Sequence, residues 1–587
     1  MDYAIGFLLL LGVLVFIHEL GHFLVAKACG IRVETFSIGM GKKILKFQKG
    51  ETEYTISILP LGGYVKLTGQ DPREEIPAEL ESKSYRSKAI WQRAAVILAG
   101  PAFNAVLAFL VLTGLFLNGV PSLAPVFARI LPGSPAAEAG FRPGDRVLSI
   151  QTPDGETHRI RERSDLEEIV GKSTGRDLVF QVERDLPGST AKGAAEVRYS
   201  PETGEERDSV TSVVSRRGIV AGAEAQALAP VVYVTDGSWA ATRQVATGVY
   251  IDQIRVGAGV PVKVNTFEEL AEVWSAAASE TVGSSEGRVE ISGRKIVAET
   301  SPNGDAAKSD KSPEPEAVTY TLAWTKASEA MPRTLEAAGL RPAELALIEV
   351  RPDSPAAKLG LQAGDLLLTL NDEKIRSFFW FRDSIQRLAS EGQELKISWL
   401  RKGQTVESVI KPENVSVKDP LTEASRKQFQ IGAYFMAVQA PPAVIDVRAD
   451  GLLEASAMGY RKAVSLTNSM LGSFYHLAKG DISPKTLGGP LLIGKIAGES
   501  FRQGWVPFFR MMAFISLNLF LLNLFPIPVL DGGHLVLLAF EAIRRKPVSI
   551  KVIEAWTTVG FFLLMGLVVV VSFNDLSRLG LFRFFNL

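Results

Sequence analysis

Residues 18–22 of this 587-residue chain read His-Glu-Leu-Gly-His, inside an apolar run that extends from residue 3 to residue 28. No other feature restricts the chain as much. An ionisable side chain at mid-bilayer costs about 2.5–3.5 kcal/mol on insertion scales, so a membrane-length segment that keeps three of them has a use for them there. On a helix His18 and His22 stand one turn apart on one face. That spacing lets two imidazoles share a zinc ion, with Glu19 beside them as a proton acceptor. The pattern reads as a metal-dependent hydrolytic centre within a bilayer.

The 64 basic and 64 acidic residues cancel, which argues against nucleic acid or acidic substrates as partners. Apolar residues gather at the two ends of the chain. The single cysteine, Cys29, excludes an internal disulfide framework and reads as a small helix residue rather than a ligand. The first apolar segment lacks a basic leader and a small-residue cleavage site, so it is expected to be a retained transmembrane helix. Further spans are expected over residues 94–117, 508–524 and 555–573, four in all. Arg32, Lys42, Lys43, Lys46, Lys49, Lys83, Arg86, Lys88 and Arg93 lie between the first two spans, and Arg544, Arg545, Lys546 and Lys551 between the last two. The positive-inside rule makes both segments cytoplasmic. Both termini and the long central region are then periplasmic in a multi-pass protein of a cell inner membrane, with the site toward the cytoplasmic side.

Zinc requires a third protein ligand. Residues 523–534 read Asn-Leu-Phe-Pro-Ile-Pro-Val-Leu-Asp-Gly-Gly-His and close the third apolar run. Two prolines break the helix there, which is tolerated at membrane depth only where the backbone lines a cavity or packs within protein. Asp531 and His534 compete for the role. Zinc, two neutral imidazoles, one aspartate and one hydroxide sum to zero charge, whereas three histidines would leave Asp531 as an extra buried charge. Asp531 is therefore preferred.

His18 to His22 in the first span, Ala99-Gly100-Pro101 with Asn104 in the second, and residues 523–533 together resemble the site-2 protease family, across the whole membrane core. The resemblance implies an intramembrane zinc metalloprotease with one Zn2+ on His18, His22 and Asp531 and with Glu19 as catalytic base. It also implies a membrane-associated β-loop between the first two spans. There residues 54–59 and 63–67 read as a β-hairpin or loop, punctuated by Pro60, Gly62 and Gly63. By resemblance, Gly62, Gly63, Tyr64, Val65, Lys66 and Leu67 would pair with an extended substrate, whose unwound backbone needs new hydrogen-bond partners. Asn518 and Asn523 would help to hold it, although such amides can also simply bridge helices, at about 0.6 kcal/mol each. The implied substrate is a single-span membrane protein, such as an anti-sigma factor already trimmed by a first protease, with signal-peptide remnants as a second class.

The central region carries an internal repeat. Residues 133–145, Gly-Ser-Pro-Ala-Ala-Glu-Ala-Gly-Phe-Arg-Pro-Gly-Asp, recur at 353–365 as Asp-Ser-Pro-Ala-Ala-Lys-Leu-Gly-Leu-Gln-Ala-Gly-Asp. Both copies are similar to PDZ domains, which take extended peptides at a sheet edge. A degenerate copy at 230–254 keeps Gly237-Ser238, Ala240-Ala241 and Gly248, with Gln244 and Val249 in place of the glycine and aspartate. Three PDZ-like units are expected where the family pattern has two, the middle one as a spacer.

The expected fold is thus a polytopic α-helical membrane protein with inserted periplasmic α+β PDZ-like domains. Its expected divisions are 1–121 and 505–587 for the membrane core, 122–229, 230–335 and 336–415 for the PDZ-like units, and 416–504 for a membrane-surface linker and helices. Polar residues 300–317 read as a disordered loop. Residues 452–477 read as helices near the membrane surface. His158 and His476 read as solvent-facing. A non-cleaving PDZ scaffold would be expected to have lost Glu19 or Asp531, and a zinc transporter would need more polar groups than Asn104 in spans two and four.

Overall fold

The computed structural model describes residues 2–578 except 72, 174, 186–191, 202–219, 221–222, 282–285, 296–315, 327–329, 419–424 and 481–486. The expected disordered loop thus lies outside the described residues up to 315, and Ala317 already opens a strand. The chain forms two compact units, one built mainly from residues 1–120 and 446–587, the other from most of 121–445.

In the first unit, helix α1 (Asp2–Ala28) leads to strands β1 (Val33–Lys49) and β2 (Thr52–Leu67) and then to helix α2 (Ile90–Asn118). The expected hairpin between 54–59 and 63–67 is not formed. Both segments pair with β1 instead, Thr35 lying opposite Lys66 on one side and Glu53 on the other. Because Val33 to Ile38 separates them, β2 must cross from one edge to the other. Gly62, at φ 98°, sits at that crossing, in the left-handed region that favours glycine. The result is four strand segments from two strands, with Gly63 to Leu67 on an outer edge.

The other unit holds three sheet-and-helix repeats. The first has a five-stranded sheet and helix α3 (Arg163–Lys172), packed through Phe127, Val147, Ile150, Leu166 and Phe180. The middle has a six-stranded sheet and α4 (Phe267–Glu280), and the last a four-stranded sheet and α5 (Phe378–Ser390). Strand pairing shifts two of the expected divisions. Leu340–Pro342 pairs with Val231–Val234 of the middle sheet, and Ala433–Phe435 pairs with Leu347–Val350 of the last unit. The unit boundaries follow these β-ladders, which the repeat motif alone does not reveal.

At the C-terminal end come α6 (Leu452–Lys479), α7 (Pro490–Gln503), α8 (Trp505–Leu524), α9 (Asp531–Arg544) and α10 (Ile550–Arg578). Among the described residues, α1, α2, α8 and α10 are long and apolar enough to cross a membrane. Helix α6 is a single helix that packs along α2, with Gly459 against Thr113, and reaches α8 near its far end through the Phe474–Phe525 ring contact at 5.2 Å. The molecule is a polytopic membrane protein carrying PDZ-like α+β domains.

Candidate metal centre

The centre is built on the contact between α1 and α2. A methyl group on Gly21 would overlap the Ala99 carbonyl, and one on Gly100 would overlap the imidazoles of His22 and His18. Glycine at these two positions lets the backbones close until both rings lie against α2. The ring of His22 is then fixed by a hydrogen bond between Nδ1 and the Val96 carbonyl at 2.8 Å. A carbonyl only accepts, so Nδ1 carries the proton and Nε2 presents a lone pair.

Asp531 is the first residue of α9, just after the turn at 525–530. Its helix is held to the start of α2 by Arg93, which donates to both Glu541 oxygens at 2.6 and 3.2 Å. Among the described residues, His18, His22 and Asp531 form the one cluster able to hold a metal ion. The His18 and His22 Nε2 atoms are 3.2 Å apart, His18 Nε2 is 3.3 Å from Asp531 Oδ2, and His22 Nε2 is 3.7 Å from Oδ1. Donors at 2.0–2.2 Å from a tetrahedral ion stand roughly 3.3–3.6 Å apart. The donor set fits zinc in both chemistry and spacing, and three protein ligands leave a fourth position open, as a catalytic site requires.

Glu19 lies on the same helix and, among the described residues, makes no hydrogen bond or ion pair. A Cβ placed on Gly63 would lie 2.9 Å from Glu19 Cγ and 3.0 Å from Val15. The edge segment from Gly63 to Leu67 therefore runs beside Glu19, paired to β1 on one side and to no strand on the other among the described residues. Lys66 on this segment pairs with Glu34 at 2.7 Å.

Asn518 and Asn523 lie on α8, half-buried, with no side-chain partner among the described residues. Asn523 directly precedes Leu524 and Phe525, whose carbonyls Gly532 touches, which places it beside the Asp531 turn. His534 is exposed on α9 and outside the metal cluster. His158 lies 3.8 Å from Glu156, and His476 contacts the Tyr475 ring.

Sequence reasoning gave no role to Asn104, Gly100 or the Val96 carbonyl. Asn104 is fully buried, with Nδ2 at 3.2 Å from His18 Nδ1 and its own carbonyl accepting from Ser516 Oγ at 2.7 Å. The signal available was a lone amide in an otherwise apolar span.

The family model described as peptidase family M50 matches residues 6–567. Over 98% of both chains, the sequence is 30% identical to a regulator of sigma E protease from Haemophilus influenzae. It is 28% identical, with the same coverage, to a putative zinc metalloprotease from Vibrio cholerae and to the regulator of sigma-E protease RseP of Escherichia coli.

Proposed function

The chain belongs to peptidase family M50 and is an intramembrane metalloprotease of the site-2 type, and from this we propose that it binds one Zn2+ on His18, His22 and Asp531 and cuts a peptide bond within a transmembrane segment of a single-span membrane protein. The spacing of the three donor atoms at 3.2–3.7 Å, within an apolar helix packing, carries this reading. Zinc, when bound, supplies the Lewis acidity that polarises a carbonyl and brings the pKa of a water to about 7. Glu19 accepts the attacking water's proton at its carboxylate and delivers it to the departing amide nitrogen. The free edge from Gly63 to Leu67 gives the unwound substrate backbone new partners. Asn523 and Asn518 hold the substrate from the other side.

The similar proteins named as regulators of sigma-E support an anti-sigma factor, already trimmed by a first protease, as the substrate. On this reading the PDZ-like units are periplasmic and exclude untrimmed protein, and the loops before α2 and after α9 are cytoplasmic. The middle unit acts as a spacer. Its Trp274 is fully buried, donates to the Pro332 carbonyl at 2.9 Å, and shares one core with Met331, Leu335 and Leu340.

The test is cleavage of a labelled single-span substrate by purified protein in liposomes, with bound zinc measured alongside. Glu19→Gln should keep zinc and lose cutting, and Asp531→Ala should lose both. Wild-type protein that binds zinc yet cuts neither trimmed nor untrimmed substrate would sink the substrate assignment, and absence of bound zinc would sink the metal centre.

A further inference from the structure

We propose that Asn104 is a positioning residue that selects the metal-binding tautomer of His18 by turning its side-chain amide. The inference rests on the zinc reading above and goes beyond it by naming the group that makes one ligand competent.

The two histidines are held in different ways. His22 Nδ1 faces a carbonyl, which can only accept, so in the neutral ring its Nε2 is the free lone pair. His18 Nδ1 faces the Asn104 amide nitrogen at 3.2 Å. An amide NH2 only donates, so in this arrangement Nδ1 accepts and the His18 proton sits on Nε2. That proton points at Asp531 Oδ2, 3.3 Å away, and at His22 Nε2, 3.2 Å away. His18 in this tautomer satisfies Asp531 but cannot donate a lone pair to a metal.

Among the described residues, Asn104 Oδ1 is buried without a hydrogen-bond partner. A half-turn of the amide brings Oδ1 to His18 Nδ1, where it accepts a hydrogen bond. The ring then exchanges its proton with water, giving up the one at Nε2 and taking one at Nδ1, so its charge is unchanged and the Nε2 lone pair is free. A histidine ligand ordinarily needs an acceptor on its far nitrogen for this reason. The backbone of Asn104 is anchored through Ser516, so the side chain can turn while α2 stays in place. Leucine keeps the branched outline of asparagine, with bulkier methyl ends, but cannot accept. Aspartate accepts but cannot donate, so it holds only the metal-binding tautomer.

The experiment measures zinc affinity of the full-length protein in detergent by competition with a chromophoric chelator, for wild type, Asn104→Asp and Asn104→Leu. Thermal melting of the metal-free proteins runs in parallel. Loss of the acceptor should raise the zinc Kd of Asn104→Leu by about 10- to 100-fold. Asn104→Asp should bind zinc at least as tightly as wild type. Should Asn104→Leu fail to fold, Asn104→Ala, which removes the same acceptor and adds no bulk, takes its place with the same expected loss. A wild-type Kd in the leucine or alanine variant overturns the proposal, as does equal weakening in the aspartate and leucine variants, which would mark a packing role. No zinc binding by wild type would instead remove the metal centre itself, and with it the premise of this inference.

Discussion

The carboxylates at the metal centre are held differently from the buried aspartates of the PDZ-like unit. In the PDZ-like unit two buried aspartates each have a guanidinium of their own. Asp145 is fully buried and receives Arg184 Nε at 2.7 Å, and Asp365, 2% exposed, receives Arg401 Nε at 2.7 Å. In the membrane unit Arg93 and Glu541 follow the same rule. Asp531 and Glu19 do not, because neither has a lysine or arginine partner among the described residues. A fold without a reaction to run would neutralise such groups, since an unpaired charge in an apolar medium is costly. On the proposed function, this contrast separates charge that serves folding from charge that serves chemistry.

The sharpest way to break this contrast is to neutralise one group on each side. Glu19→Gln should lower cleavage by about 10²- to 10⁴-fold, the usual contribution of a positioned general base. Its melting temperature should not fall, because no folded-state partner is lost. A Glu19→Gln variant that cuts at the wild-type rate would remove the base assignment, and one that unfolds would place Glu19 among the structural charges. Arg401→Met is the converse. It strands buried Asp365 and should cost about 3–5 kcal/mol, read as early melting or proteolysis of the last repeat. If the variant is as stable as wild type, the pair is dispensable and the contrast fails on the folding side.

The sequence spoke most clearly where chemistry and membrane cost coincide. His18, Glu19 and His22 announce themselves because apolar helices rarely hold such residues, and Asp531 was preferred to His534 from its place after the proline break and from charge balance. The four spans were legible from length and hydropathy. Pairing was less so: residues 54–59 and 63–67 carry hairpin punctuation, yet β1 slips between them, a non-local arrangement that local turn signals do not encode. The same limit hid the edges of the repeats, where Leu340–Pro342 and Ala433–Phe435 pair with strands far away in sequence. Asn104 was visible only as part of a motif, because its role depends on a ring brought from another helix.

Within the repeats, the middle copy departs from the other two in a way that can be sharpened. Gly140 and Gly360 adopt φ of 92° and 83°, and Gln244 adopts φ 62° at the corresponding place. A side chain in the left-handed region costs on the order of 1 kcal/mol. Gln244→Gly should therefore recover up to about 1 kcal/mol for the middle repeat, less the entropy that glycine loses on folding. Val249, buried where the other copies keep aspartate, shows that this repeat has also given up the aspartate–arginine corner. A loss of stability in Gln244→Gly would mean that the glutamine side chain contributes more than its backbone costs.

The smallest effect is expected where the repeats share charge unequally. Arg129 donates to Glu344 at 2.7 and 3.1 Å and to Glu224 at 3.3 Å. Burial pushes the Glu224 carboxyl above its ordinary value near 4.5, with Arg129 opposing the shift and Glu344 adding to it. Glu268, from the middle repeat, is raised too, again chiefly by burial. A raised carboxyl binds protons more readily in the folded than in the unfolded chain, so stability falls as pH climbs from the ordinary value through the raised one. Glu224→Gln removes that dependence while leaving Arg129 with Glu344. The variant should melt slightly above wild type at pH 7, and the gap should close as pH falls toward 4.5. A variant that melts lower at pH 7 would show that the ion pair with Arg129 outweighs the burial of Glu224. Glu224 would then join Asp145 and Asp365 among the charges that hold the fold.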